Sequence, residues 1–481
     1  LIEIGTTNIR LTLAFGKPNE SFHIYKTLYE YVHINQHMED GMIKSAKFLE
    51  CSSILKMYKK ICEADGVKNF ITVAAESLTN AKNYKSFIDE MGSVIGQEFT
   101  ILTTASETSA IYTAVVNSID VPRGVIVCIS SFNTRLIHYS RRMILDSVTV
   151  PFGSCNNPED ASKMFDVPWL KNLDPETQLV GVSDVFASYS RIARKMKKYP
   201  VDIDHNYVTD TEVFQMVFDF VRGLDAEKTR KLRGISGHGA QTLLCGMTII
   251  DAILKQSGLK TLVNARAYRN TGLLYQNIVP STLEKPISDL LHHSFNVIAD
   301  VCGLDKERMR RHNDLAIMLF KQIRVLHKLP RSYAKALNIA SNMYKLGKFG
   351  DNYHAILNAP ILGASHKDIV LAAFSASFKK WEDFDSIEWL KYRDIMTEED
   401  LEAVRKIAMM LTLAEIFDIR GQEIIKDISC DLLGDSVILK LITTTDQKQK
   451  VDVTAADVEI FQAKKFTSEF TKTFKRALEL L

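Results

Sequence analysis

Proline is scarce, at 11 of 481 residues, and no segment is low in complexity, which excludes a long disordered tail or a stiff proline-rich spacer. Cysteine is also little used. The seven present are an odd number without paired spacing, which excludes a disulfide framework and fits a reducing cytosol, so a cytoplasmic location is expected. Excess charge is missing too: the net charge is +2, so no global field argues for DNA or for a membrane surface. No apolar run is long enough to span a bilayer, and no signal peptide opens the chain. The chain begins inside a predicted strand, and a short native N-terminus is expected ahead of it. Repeats of solenoid type are absent. What remains is an ordinary globular composition, 46% hydrophobic and 25% charged, with length for about three domains.

The first stretch, Leu1-Ile2-Glu3-Ile4-Gly5-Thr6-Thr7-Asn8-Ile9-Arg10-Leu11, reads as a strand, a tight turn and a return strand. Gly5 allows the sharp bend because it lacks a Cβ. Ile9, Leu11, Leu13 and Phe15 alternate with Arg10, Thr12 and Ala14, the period of a half-buried strand. A carboxylate before a Gly-and-hydroxyl turn can hold a metal and a phosphate together, because backbone N–H groups in such a turn form an anion nest. The bland alternative is a common hairpin. A second unit of the same form, Val125 to Ile137 with its turn at Ser130-Ser131-Phe132-Asn133, suggests two facing lobes with a phosphate cleft between them.

Between these hairpins the pattern predicts a strand over Phe22–Leu28, a helix over Lys44–Ala64, a strand over Asn69–Ala74, a helix over Lys82–Ile95 and a strand over Phe99–Leu102. The Phe22–Leu28 alternation is broken by Lys26. Ser106 is the expected cap of a helix starting at Glu107. Further strands are expected at Ser147–Gly153, Leu179–Asp184 and Thr261–Val263, with a long helix over Gly239–Lys255. From Ile287 the stripes are helical. Strand alternation returns over Ile428–Val453, and a last helix is expected over Asp457–Leu480.

The chain resembles the exopolyphosphatase/guanosine pentaphosphate phosphohydrolase family (Ppx/GppA). That family's first loop, Asp-x-Gly-Ser-Asn-Ser-x-Arg, is met by Glu3-Ile4-Gly5-Thr6-Thr7-Asn8-Ile9-Arg10. Its second, Asp-x-Gly-Gly-Gly-Ser-Thr-Glu, is met by Cys128-Ile129-Ser130-Ser131-Phe132-Asn133-Thr134-Arg135. Tyr199-Pro200 through His205-Asn206-Tyr207 is similar to its Tyr-Pro and His-Gly-Tyr stretch, and Arg269 with Gly272-Leu273-Leu274 to its Leu-Arg-x-Gly stretch. The resemblance implies an α/β fold of two actin-like (ribonuclease H-like) ATPase lobes, residues 1–117 and 118–285. A helical HD-like domain, 286–427, and a small β/α segment, 428–481, would follow.

The resemblance also implies a chemistry. Glu107, in Thr104-Ala105-Ser106-Glu107-Thr108-Ser109, falls on the family's water-positioning glutamate; otherwise it is a first-turn carboxylate favoured by the helix dipole. Glu3 would hold Mg²⁺. Gly5, Thr6, Thr7, Asn8, Arg10, Ser130, Ser131, Asn133 and Thr134 would contact the phosphates of polyphosphate or a phosphorylated nucleotide. A homodimer is also implied.

Several motifs are eroded. Cys128 and Arg135 replace acids, and Ser130, Ser131 and Phe132 replace glycines. Such a loop carries about 1–3 kcal/mol of strain or takes another shape. Arg135 could attract an anion, but the ordinary expectation for it is a solvated side chain. Thr79 replaces a phosphate-binding arginine, Asp184 brings a negative charge, and Tyr344-Lys345 stands where the HD relatives carry a His-Asp pair. The basic run Arg191, Arg194, Lys195, Lys197 and Lys198 is either a polyanion patch or the polar face of a helix. Gly234 to Gly239 is glycine-rich but is no dinucleotide fingerprint. Two readings follow: a phosphohydrolase with weak or absent turnover, or a silent sensor or scaffold.

Overall fold

The computed structural model describes residues 1–34, 38–232, 235, 237–347, 351–378, 386–443 and 455–481. Two compact units form, one from Leu1–Met196 with Asp204–Ser288 and the other from Lys197–Ile203 with Asp289–Leu481.

The first unit holds two sheets built on one plan. In the first lobe, β1 (Ile2–Ile4), β2 (Asn8–Lys17) and β3 (Ser21–Tyr31) form an antiparallel meander; a small hairpin, β4 (Met38–Glu39) and β5 (Met42–Ile43), follows. Then α1 (Ser45–Ala64), β6 (Thr72–Ala75), α2 (Tyr84–Ile95), β7 (Thr100–Leu102) and α3 (Thr104–Val116) complete the order β3-β2-β1-β6-β7, with β1, β6 and β7 parallel. In the second lobe, β8 (Arg123–Ile129), β9 (Thr134–Ser140) and β10 (Met143–Val150) repeat the meander. They are followed by α4 (Ala161–Met164), β11 (Gln178–Gly181), α5 (Asp184–Met196), β12 (Tyr207–Asp210), α6 (Thr211–Arg222), α7 (Ala226–Arg230), α8 (Gly237–Ser257), β13 (Thr261–Asn264) and α9 (Arg269–Ile278). The order β10-β9-β8-β11-β13 matches the first sheet strand for strand, and β12 adds an antiparallel edge. The paired hairpins led one to expect two lobes, and these are the two ribonuclease H-like units that the resemblance implies.

The broken alternation of the third strand has a physical cause. Leu13 pairs Lys26 while Ala14 pairs Ile24, so Tyr25 is an extra residue in a β-bulge and the inward face changes there. Helix α3 begins three residues earlier than expected. Thr103, not Ser106, is its cap, accepting a hydrogen bond from the Ser106 N–H at 3.1 Å. Helices α3 and α9 cross so closely that a Cβ on Gly272 would lie 1.7 Å from the Ala110 carbonyl oxygen. Only glycine permits that approach, and it brings the start of α9 beside the first turn of α3.

The second unit is mostly helical: α10 (Leu290–Cys302), α11 (Lys306–Gln322), α12 (Arg324–His327), α13 (Tyr333–Asn342), α14 (Asn352–Leu357), α15 (His366–Ser377), α16 (Ser386–Leu390) and α17 (Glu398–Phe417). A hairpin of β14 (Ile425–Leu433) and β15 (Ser436–Thr443) follows, then α18 (Asp457–Ala463), α19 (Thr467–Phe474) and β16 (Ala477–Leu480). The expected last helix therefore stops at Phe474. Lys475 turns left-handed at φ 57°, and Ala477-Leu478-Glu479-Leu480 alternates exposed and buried as a strand parallel to β15. One continuous apolar core joins Leu319, Ile339, Val370 and Met410 of the helices to Ile428, Leu439 and Phe470. Expected strand positions 444–453 lie outside the described residues, as do Gly234 and Ser236 of the glycine-rich stretch.

Candidate functional site

The site is built from the two hairpin turns and the first turns of α3 and α9. In the first turn the Gly5 N–H donates to the Asn8 carbonyl at 2.9 Å. Gly5 is not left-handed; its lack of a Cβ serves close approach, since one would lie 3.1 Å from that carbonyl. The Thr6 and Thr7 carbonyls accept N–H groups from Val32, His33 and Ile34. The second turn is held by the segment after β10: Ser154 and Cys155 N–H groups donate to the Ser130 and Ser131 carbonyls at 2.9 and 2.8 Å. Gly153 lies against it, where a Cβ would meet the Ser130 oxygen at 2.3 Å. None of Ser130, Ser131, Phe132 or Asn133 has a positive φ, so the loop has taken another shape rather than carrying the strain that glycine's absence would impose.

The turns face each other, with Thr7 Oγ1 and Ser131 Oγ 3.5 Å apart. Between them opens a cavity of about 530 Å³, lined by Thr7, Ser131, Ser154 and Asn156, with Tyr31, His33 and Phe132 beside them. Among the described residues, no Asp, Glu, Lys or Arg lines it. Thr134 does not reach it: the residue is fully buried and its hydroxyl donates to the Phe152 carbonyl at 2.8 Å. Ser130 and Asn133 close the turn on themselves, Ser130 N–H to Asn133 O at 2.8 Å.

The acids are gathered elsewhere, on arginines. Glu3 sits mid-strand in β1 opposite Arg10 and is 2% exposed. Arg269 Nε donates to Glu3 Oε1 at 3.0 Å, and its Nη1 to Glu107 Oε1 at 2.5 Å. Arg135 Nη2 donates to the other Glu107 oxygen at 2.9 Å. Arg10 Nη1 is 3.9 Å from Glu3 Oε2. Burial works against the Arg269 charge, but Glu3 and Glu107 outweigh it and raise its pKa. The expectation of a solvated Arg135 is overturned: it is 4% exposed, because the β8–β9 register sets it opposite Cys128 on the inner side of the hairpin. Burial pushes the Cys128 thiol up to about 11 against the pull of Arg135 and Arg269.

Neighbouring positions are also occupied by the chain itself. Glu76, in the stretch that ends at Thr79, takes hydrogen bonds from the Thr104 N–H and hydroxyl on one oxygen, both at 2.7 Å, and so covers the start of α3. Arg194, from the basic run, is buried and pairs with Asp204, so the run is not a single exposed patch. Asp184 is exposed at the first residue of α5. Asn206, where the related stretch has glycine, is left-handed at φ 59°, which asparagine tolerates.

The residues present do not fit Mg²⁺. A divalent cation wants several oxygen ligands, whereas both carboxylates already contact guanidinium nitrogens. Among the described residues, no three His, Cys, Asp or Glu side chains are grouped to hold an ion. Sequence reasoning missed Arg269 as the centre of this cluster and Glu76 as the carboxylate on the start of α3. Arg269 was visible only as part of a motif, and nothing local in its sequence signals two acidic partners more than 160 residues away.

In the second unit, Lys345 pairs with Glu415. His312, buried beside Tyr344, has Nδ1 2.8 Å from the Ser341 carbonyl and Nε2 3.1 Å from that of Leu411. Burial lowers its pKa although both carbonyls favour the charged ring. With both nitrogens engaged, it is no free metal ligand.

The profile of the Ppx/GppA phosphatase family matches residues 17–266, just over half of the sequence. The chain belongs to the Ppx/GppA phosphatase family. The crystal structure of the Aquifex aeolicus Ppx/GppA family member is similar at 20% identity, TM-score 0.51, over 60% of this chain and 98% of that one. An exopolyphosphatase from Cytophaga hutchinsonii is similar at 16% identity, TM-score 0.52, over 60% and 97%. At these identities the likeness is one of fold, the α/β fold of two actin-like lobes. No curated protein matches the sequence. No helix among the described residues is long and apolar enough to cross a membrane.

Proposed function

We propose that this Ppx/GppA protein holds a phosphorylated compound in the cleft between its two turns with little or no hydrolysis. The observation that carries the reading is the double capture of Glu107. Phosphoanhydride hydrolysis needs a carboxylate poised to orient water. Here one oxygen of Glu107 lies on Arg269 and the other on Arg135. Both oxygens of Glu107 are thus held in charge-assisted hydrogen bonds, and a water that approached it would share it with two guanidinium groups. The cavity between the two turns, which Glu107 does not line, is of ligand size and carries the hydroxyl and amide groups of Thr7, Ser131, Ser154 and Asn156, which supports binding of polyphosphate or a phosphorylated nucleotide.

The alternative, a working exopolyphosphatase, draws on Glu107 lying in the first turn of α3 with Glu3 close by. The test is phosphate release from polyphosphate with Mg²⁺, run beside Glu107→Gln. The binding reading expects release near background in both proteins, with polyphosphate or guanosine tetraphosphate raising the melting temperature. Brisk release that disappears in Glu107→Gln would replace it with the enzyme. No release and no thermal response to either compound would leave a scaffold.

A further inference from the structure

We infer that Cys155 and Cys245 are a peroxide-sensitive thiol pair that closes into a disulfide and ties the second hairpin turn to α8. Both residues line the cavity between the turns. Cys155 is the third residue of a β-turn, Gly153-Ser154-Cys155-Asn156. The turn is closed by the Asn156 N–H on the Gly153 carbonyl at 3.1 Å and by the Gly153 N–H on Asn156 Oδ1 at 2.7 Å. The Cys245 thiol, reaching in from α8, donates to that same Gly153 carbonyl at 3.4 Å. The ends of such a turn are under about 7 Å apart, so the Cys245 sulfur rests on the turn that carries Cys155. A disulfide spans a Cα separation of about 4.4–6.8 Å, which is the scale of this contact.

The two thiols differ in a way that assigns their roles. Cys155 is exposed, whereas Cys245 is 3% exposed. Burial, and after it the neighbouring Cys155, push the Cys245 thiol up to about 11, so alone it stays protonated and inert. Dissolved hydrogen peroxide therefore meets Cys155. The Cys155 thiolate attacks one peroxide oxygen; an S–O bond forms, the O–O bond breaks, and the products are a sulfenic acid and, with the thiol proton, water. The Cys245 sulfur then attacks the Cys155 sulfur; the S–S bond forms, the S–O bond breaks, and hydroxide leaves as water with the Cys245 proton. Two thiols and one peroxide give one disulfide and two waters, and exchange with a thiol reductant reverses the step. Helix α8 is the fixed side of the pair, because a Cβ on Gly246 would lie 2.5 Å from Val185 Cγ2 of α5. The turn is the adjustable side. It also anchors the second hairpin turn, through the Cys155 N–H on the Ser131 carbonyl at 2.8 Å, so closure fixes one wall of the cavity. The inference holds whatever that cavity binds.

The test treats the folded wild-type protein with hydrogen peroxide, blocks the remaining thiols with iodoacetamide and maps the digest by mass spectrometry without reductant. The expected product is a Cys155–Cys245 linked peptide. The melting temperature should rise by several degrees and fall back with dithiothreitol, since a cross-link closing so long a loop constrains the unfolded chain. Cys245→Ser should stop at a Cys155 sulfenic acid, trapped by dimedone, and Cys155→Ser should leave Cys245 unmodified. Cys302, exposed on the helical unit, is the internal control and should form no link with Cys245. The inference is overturned if the folded wild type yields no linked peptide, if the link leaves the melting temperature unchanged, or if Cys245 oxidises in Cys155→Ser as fast as in the wild type. The wild-type map needs no variant, so a substitution that disturbs folding leaves that arm able to overturn the idea.

Discussion

Lys345–Glu415 in the helical unit and the Arg269 cluster in the two-lobed unit both stand where resemblance leads one to look for metal chemistry, and in both a basic side chain meets a carboxylate. They differ in burial and connectivity. Side-chain exposure is 53% and 26% for the Lys345–Glu415 pair, against 3% for Glu3, 15% for Glu107, 5% for Arg135 and 27% for Arg269. An exposed single pair contributes little and is screened by salt. A buried network resists loss of any one member, because the partner left behind is an uncompensated charge. The two sites thus differ in their energetics: one pair is replaceable, and the other cluster is part of the framework.

The largest expected effect tests that framework. Gly272→Ala puts a methyl into the Ala110 carbonyl, and the α3–α9 crossing should lose on the order of 3 kcal/mol or more, read by urea denaturation. Arg269→Met comes next, at about 3 kcal/mol, from stranding Glu3 and Glu107; a change below ~1 kcal/mol would break the comparison. Asp400 supplies a control inside the helical unit. Buried, it accepts from the Tyr333 hydroxyl at 2.7 Å and pairs with Lys367 at 2.8 Å. Although burial opposes it, these partners and the Thr397 cap hold its pKa below the ordinary 3.8. Its contribution is therefore full above that value and disappears as pH falls through the lower folded one. Asp400→Asn should cost about 1–3 kcal/mol at neutral pH and flatten the acid limb of a stability profile. Smallest is Lys345→Ala, under about 1 kcal/mol and insensitive to salt thereafter.

Much of the fold was legible because it rests on local pattern. The two hairpins, the alternation of Ile9, Leu11 and Leu13, and the run of helices after Ile287 all declare themselves within a few residues. Where long-range pairing decides, the sequence was silent. The Tyr25 bulge is set by the partner strand, and β16 is a strand only because β15 offers it an edge. At the site, Glu3, Glu107 and Thr7 were found from motif register. Arg135 was misjudged because its burial depends on facing Cys128, and Arg269 was missed because its partners are far away in the sequence.

Glu76 sets the terms on which any outside anion meets the start of α3. Its carboxylate is tethered 28 residues from Thr104 and bonded to it, so it competes at an effective concentration on the order of millimolar or above. Binding there is an exchange rather than a filling. Weak apparent affinity would then measure the strength of the internal rival, and Glu76→Gln should tighten it.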